Sequence, residues 1–255
     1  MNTPDGMGDA ALDRTAYELL ELFEQPGCPV CAFTAQAVLR YLETISYEAV
    51  TDPDVRLELR ESLGYCGIHA QQWLDRGNAL GTALIYKDLC DRLARALDSA
   101  ASSPPAGTAA GKLRQLLGGG GGAGASVAQA LVPAAPCPAC KHSLSLEGQA
   151  ISACTSGFKY PPFLAAFRTH PLGLCLPHLR GVLAALDDRA VFQAVAGAQA
   201  ARFAATRDQL AEVVRKYDHR FLHEAKGAEF EAPQRSITLV GGSLPTHLNP
   251  PRTGR

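Results

Sequence analysis

Residues 28–31 read Cys-Pro-Val-Cys and residues 64–69 read Gly-Tyr-Cys-Gly-Ile-His; further on, residues 137–140 read Cys-Pro-Ala-Cys and residues 173–178 read Gly-Leu-Cys-Leu-Pro-His. The two blocks superimpose without a gap at a single offset of 109 positions, which also lays Pro53 on Pro162 and Leu74 on Leu183. Six of the eight cysteines and two of the seven histidines fall inside this frame. A recurrence of this kind decides the architecture before any local propensity does. It predicts two tandem homologous units, each pinned by its own Cys3His site.

The expected ligand sets are Cys28, Cys31, Cys66 and His69 in the first unit, and Cys137, Cys140, Cys175 and His178 in the second. Two ligands separated by two residues reach one ion from a single turn of backbone, and two such pairs supply the four vertices that tetrahedral Zn²⁺ prefers. Each CPxC stands where a helix should begin, so backbone N–H groups and the helix dipole favour thiolate over thiol. Each C-x-x-H follows a glycine that lets the chain turn sharply. Zinc, two ions per chain, is the expected cofactor. An iron–sulfur cluster is the alternative, since Cys3His also suits one. A site with four protein ligands has no open position for water or substrate, which points to a structural ion.

Both units read as helical. Leu12, Ala16, Leu19, Leu20 and Phe23 form an apolar stripe at helical spacing that Pro26-Gly27 ends, and Ala35, Val38, Leu39, Leu42 and Ile45 continue the period over 32–50. Asp52 is placed as an N-cap with Pro53 at the first helical position. Short helices over 54–62 and 69–75 and a long one over 79–97 complete the first unit, and the second closes with a long helix over 188–217. A weak SITLV run at 236–240 is the sole strand signal. The fold class is all-α. The expected organisation is a helical unit over 1–98, a Gly/Ala/Pro-rich linker over 99–135 with five consecutive glycines, a second unit over 136–224, and a mostly disordered tail over 225–255.

At 255 residues, with 24 basic against 25 acidic side chains, the chain is long enough to bury a core and has no charge excess to draw nucleic acid or an anionic membrane. No run approaches the roughly 20 apolar residues of a membrane span, and acids stand where a secretory signal would be basic. The expected setting is the reducing cytoplasm, which disfavours a disulfide reading of the cysteines.

Outside the repeat, Cys90 and Cys154 read as inert thiols and Trp73 as a core aromatic. Residues 215–224 are dense in charge and aromatics. There, His219 and His223 stand four apart with Asp218 and Glu224 close by, which gives a third metal or a catalytic cluster as the alternative to the plainer reading of a solvated helix end. No phosphate loop, dinucleotide fingerprint or nucleophile elbow is present.

The stretch from CPVC through YEAVTDPDVRLELRESLGYCGIHAQQWLDRGNALGTALIYKDL resembles a family of uncharacterised prokaryotic proteins, and the likeness resumes at CPAC, LGLCLPHL and RKYDHRF. It supports the duplicated Cys3His frame and implies no reaction. The expected function is therefore an interaction or scaffold module whose partner is another protein, the alternative a redox or metal sensor; a catalytic role for the 215–224 cluster is the third possibility.

Overall fold

The computed structural model describes residues 12–102, 124, 128–129 and 131–243. Among these residues there is no strand, and no helix is long and apolar enough to cross a membrane. Most of the expected linker, and the end of the tail from 244, lie outside the described residues.

The elements are α1 (Arg14–Leu22), α2 (Pro29–Thr44), a π turn (Ile45–Ala49), α3 (Pro53–Glu61), α4 (Gly67–Leu74), α5 (Ala79–Ala101), α6 (Pro138–Gly157), α7 (Pro161–Thr169), α8 (Leu176–Ala185), α9 (Arg189–Lys216), a short 3-10 turn (Ala228–Glu231) and α10 (Ala232–Gly241). Side-chain caps set several starts. Asp52 accepts from the backbone N–H of Asp54 and Val55, Asp188 from Ala190 and Val191, and Asp13 from Ala16. Such caps are each worth about 1 kcal/mol.

The compact units are not the two consecutive halves expected. One contains residues 1–37 together with 143–255, the other residues 38–142. Helices α2 and α6, the two that open with CPxC, each run from one unit into the other. The boundary therefore falls within helices and not at 98 or 136, because the apolar residues at the two ends of each helix belong to different cores.

In the first unit, Ala16, Leu19, Leu22 and Phe23 of the N-terminal segment pack with Val30 and Phe33 of α2 against Phe158, Phe163, Phe167, Leu179 and Val182. Phe23, Phe158, Phe163 and Phe167 meet edge to face with ring centroids 5.0–6.1 Å apart. Burying each such ring contributes about 1.5–3 kcal/mol, and the edge-on geometry adds about 0.5–1.5 kcal/mol per pair. The expected disorder from residue 225 is corrected here. Residues 232–241 form α10, and its Ala232 and Leu239, one heptad apart, are buried, Leu239 in this core. The SITLV run lies within this helix, and of its apolar residues Leu239 alone meets the core, Ile237 and Val240 being exposed.

In the second unit, Val38, Leu42, Ile45, Leu59, Ile85 and Leu89 surround Trp73, which is 1% exposed. Its ring stacks on Tyr65 at 5.5 Å and its Nε1–H donates to Thr82 Oγ1 at 2.9 Å. Trp73 is a core residue, as its place in the sequence suggested.

Candidate metal centres

All eight expected ligands gather, but in exchanged pairs. Cys28 and Cys31 meet Cys175 and His178, whereas Cys66 and His69 meet Cys137 and Cys140. In each group the four donor atoms lie within 4.8 Å of one another. The ligand sets drawn from consecutive motifs are thus corrected: each CPxC faces the C-x-x-H of the other repeat. We call the first group centre I and the second centre II; each lies wholly within one compact unit.

Local structure positions the donors as the sequence requires. Cys28 and Cys137 immediately precede the helices that start at Pro29 and Pro138, with Cys31 and Cys140 in the first turn. Cys66 and Cys175 are the N-cap residues of α4 and α8, placing His69 and His178 one turn on. The glycines two residues before these cysteines adopt left-handed backbone, φ +92° at Gly64 and +68° at Gly173. A Cβ on Gly173 would collide with Gln199 Oε1.

In centre I the Nδ1 of His178 is 3.3 Å from Cys28 Sγ, 3.5 Å from Cys31 Sγ and 3.1 Å from Cys175 Sγ, and Cys31 and Cys175 are 3.7 Å apart. In centre II the Nδ1 of His69 is 3.2 Å from Cys66, 3.5 Å from Cys137 and 3.3 Å from Cys140, and Cys66 and Cys140 are 3.7 Å apart. One ring nitrogen carries a single proton or a single lone pair, so it cannot hydrogen-bond three sulfurs at once. The sulfurs are also much farther apart than the about 2.05 Å of a disulfide. The arrangement suits a shared cation.

The electrostatics make the same demand. Burial opposes charge on Cys28, but hydrogen bonds with Cys175 and Cys31 and the nearby His178 outweigh it and hold its thiol well below the usual range. His178 is pushed up to about 10: burial works against its charge, and the Cys175 and Cys28 sulfurs more than offset it. Hydrogen bonds with Cys175 and Cys28, then burial, push Cys31 up. In centre II, burial and then Cys66 and Cys137 push Cys140 up to about 12. Three thiolates this close ionise together only against a dication.

Several residues that support the ligands carry no spacing signal. Glu147 Oε1 is 3.2 Å from His178 Nε2, so a ring that ligates through Nδ1 donates its other N–H to a carboxylate. The loop leading to Cys175 is held by side chains from α9 and by His170. Gln199 Nε2 donates to the carbonyls of Leu172 and Leu174, and Arg202 donates to those of Phe167, Arg168 and His170. His170 Nε2–H donates to Gln25 O at 2.9 Å while its Nδ1 accepts from Leu172 and Gly173 N–H.

The 215–224 segment is a different matter. Beyond Lys216 the chain turns, so His219 and His223 share no helix face, and among the described residues no third metal-binding group forms. Asp218 engages Arg220 and His219, while Arg215 pairs with Glu212 and Glu224 and lies over the Phe221 ring. Charge and aromatics there tie down a chain turn. Cys154 is fully buried and Cys90 exposed.

A model of a family of unknown function, DUF6062, matches residues 17–247 of the chain. The chain belongs to DUF6062. One relative of this member is an uncharacterised 23.9 kDa protein encoded in the xynA 3′ region of Caldicellulosiruptor sp. strain Rt8B.4, 32% identical over 71 residues. That similarity takes in 28% of the DUF6062 chain and 34% of the relative, so the chain covers about a third of the relative's length. No solved structure matches it.

Proposed function

We propose that this DUF6062 protein holds two structural zinc ions and acts in the cytoplasm as a protein-interaction or scaffold module. The observation that carries the metal assignment is the size of the two donor groups. Zinc bonds of about 2.3 Å to sulfur and about 2.0–2.1 Å to imidazole, set at the tetrahedral angle, give edges of about 3.8 Å between sulfurs and about 3.5–3.6 Å between sulfur and nitrogen. The Cys31–Cys175 and Cys66–Cys140 sulfur–sulfur distances of 3.7 Å meet this, and the sulfur–nitrogen distances of 3.1–3.5 Å fall at it or slightly inside it. A cluster spreads its ligands over several irons, so the donors would ring a body of iron and sulfide instead of standing at van der Waals contact. When bound, the ion would supply a fixed tetrahedral joint. The chain's own residues do the rest: Gly64 and Gly173 turn the backbone, and Glu147 orients one imidazole.

Four protein ligands leave no vertex for substrate, which favours an architectural role over catalysis. The test is elemental analysis with an absorption spectrum on protein purified without added metal and without air. The expected result is two zinc per chain and no visible band. Iron with a broad visible absorption, or less than one metal per chain, would overturn the assignment.

A further inference from the structure

The two donor groups share chemistry and edge lengths but not surroundings. In centre I, Cys28 and Cys175 are 1% and 0% exposed. The residues just past α10 cover Cys31 and Cys175. Gly242, at φ +87°, has its Cβ position 3.4 Å from Cys31 Sγ and 3.6 Å from Cys175 Sγ, and the Ser243 N–H donates to Cys31 Sγ at 3.4 Å. His178 is backed by Glu147. Neither the cover from Gly242 and Ser243 nor the carboxylate has a counterpart in centre II among the described residues. The position 109 residues before Glu147 is Val38, a buried apolar side chain, and among the described residues no carboxylate pairs with His69. Two of the centre II cysteines, Cys66 and Cys140, are half-buried, against Cys31 alone in centre I. A cavity of about 620 Å³ is lined by Ser62, Tyr65, Pro133, Pro136 and two of the ligand residues, Cys66 and Cys137. The Tyr65 hydroxyl, on a residue lining this cavity, is buried without a hydrogen-bond partner.

We infer that centre II is an exchangeable metal site that yields its ion to small thiols entering through this cavity, while centre I is closed. The inference rests on the zinc reading above. Zinc is d¹⁰ and can pass through five-coordination, so exchange needs only an entering donor and room for it. A small thiol gives its proton to solvent, and its sulfur occupies the vertex left by Cys66, whose thiolate takes up a proton. Coordination stays at four, and no electron moves. In centre I the same approach meets a buried sulfur, a backbone N–H already on Cys31 and a histidine held by its carboxylate. Losing an outer partner of that kind typically costs 10–100-fold in affinity.

The experiment uses the full-length protein after its two zinc have been measured, so failure of the zinc reading shows before the exchange begins. Excess 4-(2-pyridylazo)resorcinol is added with and without reduced glutathione, and N-ethylmaleimide labelling is mapped by peptide mass spectrometry through the time course. The expected course is biphasic. One equivalent leaves at least about tenfold faster than the other, glutathione accelerates that phase alone, and Cys66, Cys137 and Cys140 label in it. Glu147→Gln speeds the slow phase about tenfold or more and leaves the fast phase unchanged. Release of both equivalents in one phase, labelling that begins at Cys28, Cys31 or Cys175, or a fast phase indifferent to glutathione would overturn the inference.

Discussion

Replacing Cys31 by Ser separates exchanged from consecutive pairing in one measurement. Cys31 Sγ stands 3.7 Å from Cys175 Sγ and 3.5 Å from His178 Nδ1, and it accepts the Ser243 N–H. Serine withdraws that donor and leaves Cys28, Cys175 and His178 around a vertex open to water. A thousandfold loss of zinc affinity corresponds to about 4 kcal/mol, against a total stability of about 5–15 kcal/mol for an ordinary domain. Centre I should therefore empty and its unit should loosen, while centre II keeps its ion. Metal content falls from two to one. In alkylation without chelator, Cys28 and Cys175 become reactive as Cys66, Cys137 and Cys140 stay protected. If Cys66 becomes reactive and Cys175 stays protected, the ligands pair within each repeat and the exchanged geometry is wrong.

The loop before centre I gives further outcomes. Gly173→Ala should destabilise the protein by at least about 1–2 kcal/mol, the cost of left-handed backbone for a residue with a Cβ, with the contact to Gln199 Oε1 adding to it; a denaturant midpoint equal to wild type would contradict this. His170 should be neutral and protonated at Nε2, which ¹⁵N chemical shifts report directly. Burial holds its folded pKa below the ordinary 6.5, so the unfolded chain takes the proton first as pH falls. Its contribution to stability is whole above 6.5 and declines below, by at most about tenfold in the folding equilibrium per pH unit. Leu239→Ala should cost about 2–5 kcal/mol if α10 is an integral part of the first unit, whereas a disordered tail would tolerate it without effect.

The sequence made the ligands legible because coordination chemistry constrains spacing tightly. CPxC at a helix start, glycine two residues before C-x-x-H, and Asp52 before Pro53 are each dictated by local backbone geometry, and each stands where expected. Pairing was not legible for a definite reason. Cys31 precedes Cys66 by 35 positions and Cys140 precedes Cys175 by the same 35, so spacing cannot say which CPxC meets which C-x-x-H. Tertiary packing decides it. Val30 and Phe33 pack with Phe163, Phe167 and Leu179, and Ala139 packs with Leu59, Tyr65 and Trp73. Glu147, His170, Gln199 and Arg202 escaped notice because each acts across a long stretch of chain on a partner that no motif announces. Residues 225–243 misled through composition: Pro, Gly and scattered apolar residues conceal a heptad of Ala232 and Leu239 that only a neighbouring core makes meaningful.

Exchanged pairing makes the two segments on either side of residues 103–130 mutually dependent in a way that a cut can expose. The N-terminal segment brings Cys28, Cys31, Cys66 and His69, half of each centre; the C-terminal segment brings the other half of each. Neither can complete a tetrahedron from the pair of motifs it carries in the geometry seen here. A protease site inserted between residues 102 and 131 would, once cleaved, leave two pieces joined by two ions and by cores to which both contribute, since Phe23 and Val30 pack with Phe163 and Leu179 in one, and Trp73 and Leu59 with Ala139 in the other. The cleaved protein should therefore elute as one species with two zinc, and excess chelator should weaken or part the pieces. Consecutive pairing gives the opposite behaviour, with each piece holding its own ion and chelator having no effect on their association. Zinc in this fold would then be less a staple within a unit than the link that makes two distant stretches of chain fold as one.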